Sequence, residues 1–204
     1  MAKKTKLPAK LVKYLEKAGI KHDILEHRTV YTAIDAANTM RKKMGEIGKS
    51  LLVKADKDYF LVLLPADHNL DFEKLKKLIG KQRQKEVKVL KIPGEKIMET
   101  IFKVKSGAMS AFGSLHKVPV VMEKKLHDTK KIVLSSGSFN HSIEMAAKDF
   151  AKLEDAILGS FGVKKKIKKQ KVTKPKKAKS KAKPKKSAGD KKTAKTKTKV
   201  KKKK

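Results

Sequence analysis

The stretch best suited to ligand binding is the loop at residues 107–113, with the sequence Gly-Ala-Met-Ser-Ala-Phe-Gly. Its glycines and small side chains let a ligand approach the backbone, and glycine can adopt a positive φ where a turn requires it. No amphipathic period runs through this loop, which separates a predicted helix from a predicted strand. Such a loop on a rigid scaffold suits binding, although most small-residue loops only connect elements.

Lys49 differs from the other lysines by its position. It follows Gly48 at the start of an apolar strand, where its ammonium can reach across the sheet edge to a phosphate or carbonyl oxygen. The alternative is a solvated surface lysine, which is the common case in a chain so rich in lysine. Position alone leaves both interpretations open.

Several classes of chemistry are not indicated by the sequence. The chain has no cysteine, and its six histidines lack the spacing of metal ligands. It contains no phosphate-binding Gly-rich loop, no His-Glu-x-x-His and no Gly-x-Ser-x-Gly. No pair of acidic residues suggests acid–base catalysis. We therefore predict neither a metal nor another cofactor.

The pattern of apolar residues predicts the elements that would position the loop and Lys49. Helices are predicted near residues 7–18, 32–44, 71–80, 93–102 and 150–161, and strands near 22–26, 49–54, 59–64, 87–92, 118–122, 131–134 and 141–145. The second of two hairpin-linked strands, 59–64, has no polar alternation and should be central in its sheet. The fold class is α+β, a single domain with a mixed, largely antiparallel sheet flanked by helices.

Charge divides the 204 residues into two parts. Residues 163–204 contain 23 Lys and one Asp, which is +22 of the formal net charge of +35 and leaves +13 for residues 1–162. This segment has few large apolar residues, so it cannot bury enough surface to offset its ordering entropy. We predict a domain at 1–162, long enough for one core, and a disordered Lys-rich tail at 163–204.

The excess of positive charge favours a polyanionic partner. Nucleic acid is the first candidate and an anionic membrane surface the second, while solubilising surface lysine is the alternative for the body. No apolar run approaches the 18 residues of a membrane span, and no apolar signal-peptide core follows the basic N-terminus. These features predict a cytoplasmic protein, or a nuclear one if the source is eukaryotic.

Four segments in colinear order resemble a known family. Residues 27–37 resemble a His-x-x-x-Tyr/Phe-Thr-x-x-x-Ala opening, and 48–53 resemble a Lys-Thr/Asn-Leu-Leu/Phe strand. Residues 107–122 are similar to a Gly-x-x-x-Pro loop with its following strand, and 135–150 to a Gly-Gly…Ile-Glu-Leu…Asp-Leu closing segment. The family is that of the YbaK-type aminoacyl-tRNA editing domains, related to the editing domain inserted in bacterial prolyl-tRNA synthetases. The resemblance covers about residues 7–161.

This resemblance implies hydrolysis, in trans, of the ester bond of mischarged tRNA, without a metal or a covalent nucleophile. Lys49 matches the family's essential lysine, which holds the substrate or the tRNA 3′ end, and Gly107 matches the first glycine of the loop that positions the ester carbonyl or a water. The implied partners are tRNA and an aminoacyl-tRNA synthetase, with no membrane. The implied substrate-binding residues are Ser110, Ala111, Ser136, Gly137 and His141.

Two positions depart from the family pattern. Ala111 stands where the family has its loop proline, so the loop lacks one fixed φ. Ser136-Gly137 stands where many members have Gly-Gly. A second hypothesis is therefore a non-catalytic nucleic-acid-binding protein that retains the fold. A third is a deacylase whose tail serves localisation or solubility alone.

Overall fold

The computed structural model describes residues 6–103 and 108–165, which form six helices, ten strands and two short 3₁₀ turns. The helices are α1 Ala9–Ala18, α2 Ala33–Met40, α3 Phe72–Arg83, α4 Glu95–Phe102, α5 Lys124–His127 and α6 Ala147–Leu153. The strands are β1 His22–Glu26, β2 Gly48–Ala55, β3 Asp58–Pro65, β4 His68–Leu70, β5 Leu90–Lys91, β6 Val120–Glu123, β7 Lys131–Ser135, β8 His141–Ala146, β9 Ile157–Gly159 and β10 Gly162–Lys164. The 3₁₀ turns are Met44–Glu46 and Gly113–His116.

The larger sheet has five strands in the order β5-β2-β3-β6-β9. Strands β2 and β3 form the predicted antiparallel hairpin, whereas β6 and β9 join the sheet in parallel. Strand β3 lies in the middle and is buried on both faces. Leu61 and Leu63 contact one apolar cluster, and Phe60, Val62 and Leu64 contact another. The prediction of a central strand and of a mixed α+β fold is confirmed.

The second sheet is antiparallel and has the order β1-β8-β7. Its apolar side chains pack with those of the larger sheet, as Leu134 and Ile143 share a cluster with Leu52. A parallel bridge between Ile47 and Val133 joins the two sheets immediately before β2 begins. Helices α1 and α6 close this core, and α3 covers the opposite face of the larger sheet.

Two predicted helix ends are wrong. Helix α2 ends at Met40 rather than near residue 44, because Arg41 adopts the left-handed conformation with φ 53°. Helix α3 continues through Gly80, where a stop was predicted, and ends at Arg83. A glycine inside a helix costs about 1 kcal/mol, which the packing of apolar α3 residues such as Ile79 against the sheet outweighs.

The last predicted helix, 150–161, is also wrong in its second half. Helix α6 ends at Leu153, and Asp155 then adopts φ 46°, which redirects the chain into β9 beside β6. A Cβ on Gly159 would lie 2.2 Å from Leu78 Cδ2, so a side chain here would displace that of Leu78 on α3. Apolar spacing fits a helix as well as it fits these shorter pieces, and tertiary packing selects the latter. The predicted strand at 87–92 is reduced to β5.

The C-terminal strand β10 pairs with β4 and is fixed by the buried carboxylate of Glu123. Oε2 of Glu123 accepts hydrogen bonds from the N–H groups of Phe161 at 2.6 Å and Gly162 at 2.5 Å. Residues 163–165, which the charge pattern placed in the tail, therefore lie in the described fold. The rest of the predicted tail, 166–204, lies outside the described residues. Within the described chain, no helix is long and apolar enough to cross a membrane.

Candidate active site

A cavity of about 370 Å³ opens along the edge of β2. Strand β5 pairs with β2 only at Lys54 and Ala55, so the first part of β2 has no strand neighbour on that side apart from the bridge at Ile47. The strand β7 residues Val133, Leu134 and Ser135 also line the cavity. Most lining residues are apolar: Val30, Ala33, Ala36, Met40, Ile47, Leu51, Leu52, Ile92, Met98, Phe102, Met109, Val133 and Leu134.

Lys49 is the one charged residue of the lining among the residues that the structure describes. It is half-buried, and its ammonium donates a hydrogen bond to the carbonyl oxygen of His68 at 3.3 Å. Burial lowers the pKa of Lys49 below the ordinary lysine value, and the nearby ammonium of Lys165 lowers it further. No described carboxylate lies within ion-pair distance of Lys49. Its positive charge is therefore available to an anionic or polarised group.

Lys165 is held beside this site by the turn between β3 and β4. Its ammonium donates to the carbonyl oxygen of Ala66 at 3.0 Å, and its N–H donates to that of Asp67 at 2.8 Å. The Asp67 carboxylate is itself occupied by His68 Nδ1 at 2.7 Å. Two half-buried ammonium groups thus bind carbonyl oxygens only two residues apart, Ala66 in the turn and His68 at the start of β4, and neither is neutralised by a described carboxylate.

The loop that carries Ser110 and Ala111 is anchored to β7. Both residues are buried, and Ser110 Oγ accepts a hydrogen bond from the N–H of Phe112 at 3.2 Å. The N–H of Ala111 donates to the carbonyl oxygen of Ser135 at 3.0 Å. Proline has no N–H, so the proline that the resemblance predicts at position 111 could not make this hydrogen bond. Gly107 lies outside the described residues.

The turn between β7 and β8 and the first residue of β8, His141, supply the other predicted binding residues. Ser136 Oγ donates to the carbonyl oxygen of His141 at 2.7 Å, and Ser138 Oγ lies 3.1 Å from His141 Nδ1. Gly137 has φ 90°, which a residue with a side chain rarely adopts. A Cβ on Gly137 would lie 3.7 Å from the Cβ of Ser110, so this turn and the loop are in contact.

Of the predicted site residues that the structure describes, Lys49 lines the cavity. Ser110, Ala111, Ser136, Gly137 and His141 do not line it and lie in the neighbouring loop, in the β7–β8 turn and at the start of β8. The neighbouring residues Met109, Ser135 and Ser138 face the cavity in their place.

Sequence reasoning missed the apolar lining on α4. Met98 and Phe102 were predicted to lie on the apolar side of a helix, and both line the cavity. They were missed because an apolar helix face has the same periodicity whether it packs in a core or lines a cavity. Tyr31 and Ser50 were also missed. Tyr31 occupies the Tyr/Phe position of the opening segment and Ser50 the Thr/Asn position of the Lys49 segment, so the motifs contained the signal that could have found them.

The buried carboxyl groups do not reach the cavity. Glu123 binds backbone N–H groups, Glu144 pairs with Lys42, and Glu154 accepts a hydrogen bond from the Tyr14 hydroxyl at 3.0 Å. Burial raises the pKa of Glu154 above its ordinary value. None of the three lines the cavity. Among the described residues, no group of three His, Asp or Glu side chains could hold a metal ion.

Ser50 has the one buried side-chain oxygen without a hydrogen-bond partner in the described chain. It lines the cavity, as does Ser142, whose Oγ lies 2.9 Å from His27 Nε2. A buried hydroxyl without a partner costs free energy, whereas one with a partner contributes about 1 kcal/mol. The two serines therefore form a matched pair for a stability measurement.

We expect Ser50→Ala to leave the free energy of unfolding unchanged or to raise it by up to about 1 kcal/mol, because it removes an unsatisfied polar atom. Ser142→Ala should lower it by about 1 kcal/mol or more, because it leaves the His27 nitrogen without its partner. Urea unfolding followed by circular dichroism measures both values. Equal destabilisation by the two substitutions would contradict this account of Ser50.

The family model for the aminoacyl-tRNA editing domain matches residues 27–153. The chain belongs to the aminoacyl-tRNA editing domain family. The matched range includes β2, the described part of the loop and the β7–β8 turn, so it contains the whole described lining of the cavity. Membership supports a role in tRNA editing at the level of the family.

Solved structures share the fold of this editing domain. A protein described as a candidate trans-editing enzyme for prolyl-tRNA synthetase is 21% identical, with a TM-score of 0.64 over 75% of this chain and 95% of that chain. The hypothetical protein APE2540 is 18% identical, with a TM-score of 0.67 over 76% of this chain and 99% of that chain. At these identities the likeness shows the fold alone. A search of curated protein sequences finds no match.

Proposed function

We propose that this protein is a trans-acting aminoacyl-tRNA deacylase that hydrolyses the ester bond of mischarged tRNA. The observation that carries the proposal is the apolar cavity at the edge of β2 with Lys49 on its wall, in a domain of the editing family. A fold of this kind supports several functions, and it is the chemistry of this site that supports the proposed one.

The cavity suits the aminoacyl group of a small or medium-sized amino acid. Its volume of about 370 Å³ is at the lower end of the range for small-molecule sites. Its walls are mainly apolar, and the hydroxyls of Thr32, Ser135, Ser138 and Ser142 have partners within the protein. A purely apolar wall separates side chains that differ by one methylene by only about 1–3 kcal/mol, so we expect a preference among amino acids rather than absolute selection.

The chemistry expected here is attack by a positioned water. The described lining contains no His, Asp or Glu side chain, and the chain has no Cys, so no imidazole, carboxylate or thiolate on this wall can act as base or nucleophile. The lining serines are given no nucleophilic role here, because the resemblance implies no covalent intermediate. Water adds to the ester carbonyl carbon and gives up a proton. The bond between that carbon and the ribose oxygen then breaks, the ribose oxygen takes up a proton, and the free amino acid leaves. The barrier is lowered by stabilising the negative charge that develops on the carbonyl oxygen.

Lys49 is the residue proposed to supply that stabilisation, or to bind the adjacent phosphate. Its half-buried ammonium pays a desolvation penalty in the free protein and is repelled by Lys165, so an approaching negative charge relieves both. Backbone N–H groups of the loop that begins at Gly107 are proposed to act on the same oxygen. Ser110, Ala111, Ser136, Gly137 and His141 are proposed to hold the pocket wall in position.

The proposed partners are tRNA and an aminoacyl-tRNA synthetase that produces the mischarged substrate. The net charge of +13 on residues 1–162 and of +22 on residues 163–204 favours binding to the phosphate backbone without reading base sequence. A non-catalytic nucleic-acid-binding protein is the second candidate, because Ala111 replaces the family's loop proline and the charged tail alone would bind nucleic acid.

A panel of mischarged tRNAs tests this proposal. We expect the full-length protein to release the amino acid from at least one tRNA that carries a small non-cognate residue, with correctly charged tRNA as the control. Loss of the ester is followed at neutral pH, and the spontaneous rate is subtracted. Binding of every tRNA without turnover of any would refute the deacylase and favour the second candidate.

A further inference from the structure

An exposed aromatic side chain stands at the mouth of the cavity. Tyr31 lines the cavity and yet leaves 63% of its surface exposed, the largest exposed fraction among the large apolar residues of the described chain. Its ring contacts that of Phe139, with centroids 5.2 Å apart and planes inclined by 52°. Aromatic rings are normally buried for the most part, so a ring exposed beside a cavity indicates a contact surface.

This pair of rings is held in place by hydrogen bonds between two segments. The N–H of Val30 donates to the carbonyl oxygen of Phe139 at 3.0 Å, and the Asn140 side chain donates to Thr29 Oγ1 at 3.0 Å. On the other side of Tyr31, Thr32 caps helix α2 by accepting from the N–H of residue 35 at 3.1 Å. The backbone on both sides of Tyr31 is therefore fixed, and little entropy is lost when a ligand contacts the ring.

The covalent structure of an aminoacylated RNA determines what reaches this position. The aminoacyl group is esterified to the terminal ribose, and the base of the same nucleotide is attached to that ribose a few bonds away. When the aminoacyl group occupies the cavity, the ribose must lie at the mouth and the base must lie on the rim. Every base has a flat face that stacks on aromatic rings.

We infer that Tyr31, backed by Phe139, stacks on the base of the terminal nucleotide of an aminoacylated RNA whose aminoacyl group enters the cavity. The inference rests on the proposed function and adds the part of the substrate that the rim recognises. Ile92 also lines the cavity and is 44% exposed, so it offers a second exposed apolar side chain to the same ligand. Stacking on a base needs no particular hydrogen-bond pattern, so this contact supplies affinity and orientation rather than base selection.

The test uses an acceptor-stem RNA that carries no aminoacyl group and in which 2-aminopurine replaces the terminal adenine. Stacking on an aromatic ring quenches the fluorescence of 2-aminopurine, and we expect the full-length protein to produce this quenching. Tyr31→Phe should retain it. Tyr31→Ala should abolish it and weaken binding roughly five- to hundredfold. Phe72→Ala is the matched control, because Phe72 is 40% exposed and does not line the cavity.

Three results would overturn the inference. The unaltered protein produces no quenching, Tyr31→Ala quenches as much as the unaltered protein, or Tyr31→Ala loses as much affinity for an RNA without the terminal base as for the intact RNA. Loss of synthetase binding in Tyr31→Ala with unchanged RNA binding would also overturn it and identify the rim as a protein contact. Because this RNA carries no aminoacyl group, the result does not depend on turnover. Quenching without hydrolysis in the tRNA panel would refute the deacylase alone, and hydrolysis that Tyr31→Ala leaves unchanged would refute the stacking alone.

Discussion

Replacing Lys49 with alanine is expected to reduce kcat/KM for deacylation by about 10²–10³-fold, the usual cost of removing one group that stabilises an oxyanion. The side chain lines the cavity, and no other charged group does so in the described part of the chain. The fold should survive, because the ammonium makes one hydrogen bond, to His68, and no ion pair with a described carboxylate. Single-turnover hydrolysis of the best substrate from the tRNA panel measures the effect.

Lys54→Ala is the matched control for this substitution. Lys54 lies on the same strand, but its ammonium is 5.4 Å from the centroid of the Tyr59 ring and it does not line the cavity. We expect Lys54→Ala to change kcat/KM by less than about twofold, since its effect on RNA binding is that of one surface charge. Equal losses in both variants would show that Lys49 acts only through net charge, and unchanged activity in Lys49→Ala would remove it from the mechanism.

The pH dependence of activity is a second test of the role of Lys49. Its pKa is lowered by burial first and by Lys165 second, so the active ammonium is lost at a lower pH than an ordinary lysine would lose it. Enzymatic activity, corrected for alkaline hydrolysis of the ester, should therefore fall on the alkaline side below the usual lysine range. Lys165→Gln removes the like charge, which should raise the pKa of Lys49 and move this limb to higher pH. A limb that does not move would exclude electrostatic coupling between the two lysines.

Removing residues 166–204 is expected to weaken tRNA binding by about 10²-fold near 100 mM salt, while hydrolysis of saturating substrate changes little. The removed segment contains 21 Lys and one Asp, a net charge of +20. Each phosphate contact that is lost should also lower the slope of log K against log salt by about 0.7–0.9. Filter binding of one tRNA at several salt concentrations measures both quantities.

The site of this truncation follows from the structure. A cut after Gly162, where the charge pattern places the boundary, would also remove most of β10 and Lys165 with its hydrogen bond to Ala66. A cut after Lys165 leaves these contacts intact. A tail of shuffled sequence should restore binding and a tail with Lys replaced by Gln should not, because phosphate attraction does not read sequence. An unchanged salt slope after truncation would mean that the tail does not bind tRNA.

The sequence alone determined the larger features of this protein. The unbroken apolar run of β3 indicated a central strand because only a strand covered on both faces has no polar alternation. Lys49 was noted for its position at the start of the apolar strand β2, but only the resemblance favoured a functional lysine over a solvated one. The ordered set of motifs pointed to the editing family that the family model then matched. The resemblance was needed for this step, since the loop at 107–113 taken by itself resembles a common connection.

Only the tertiary structure decided which side chains share a cavity and which support it. Met98 and Phe102 have the periodicity of core residues. They line a cavity because β5 is short and leaves most of the β2 edge uncovered. The hydrogen bond from Ala111 to Ser135 is likewise a long-range contact that no local pattern encodes. Helix α2 ends just before Arg41, and α6 ends shortly before Asp155, which leads into β9. Both ends are set by packing and by a residue in the left-handed conformation, not by helix propensity. Local sequence sets what each segment can form, whereas the space between segments depends on contacts far apart in the chain.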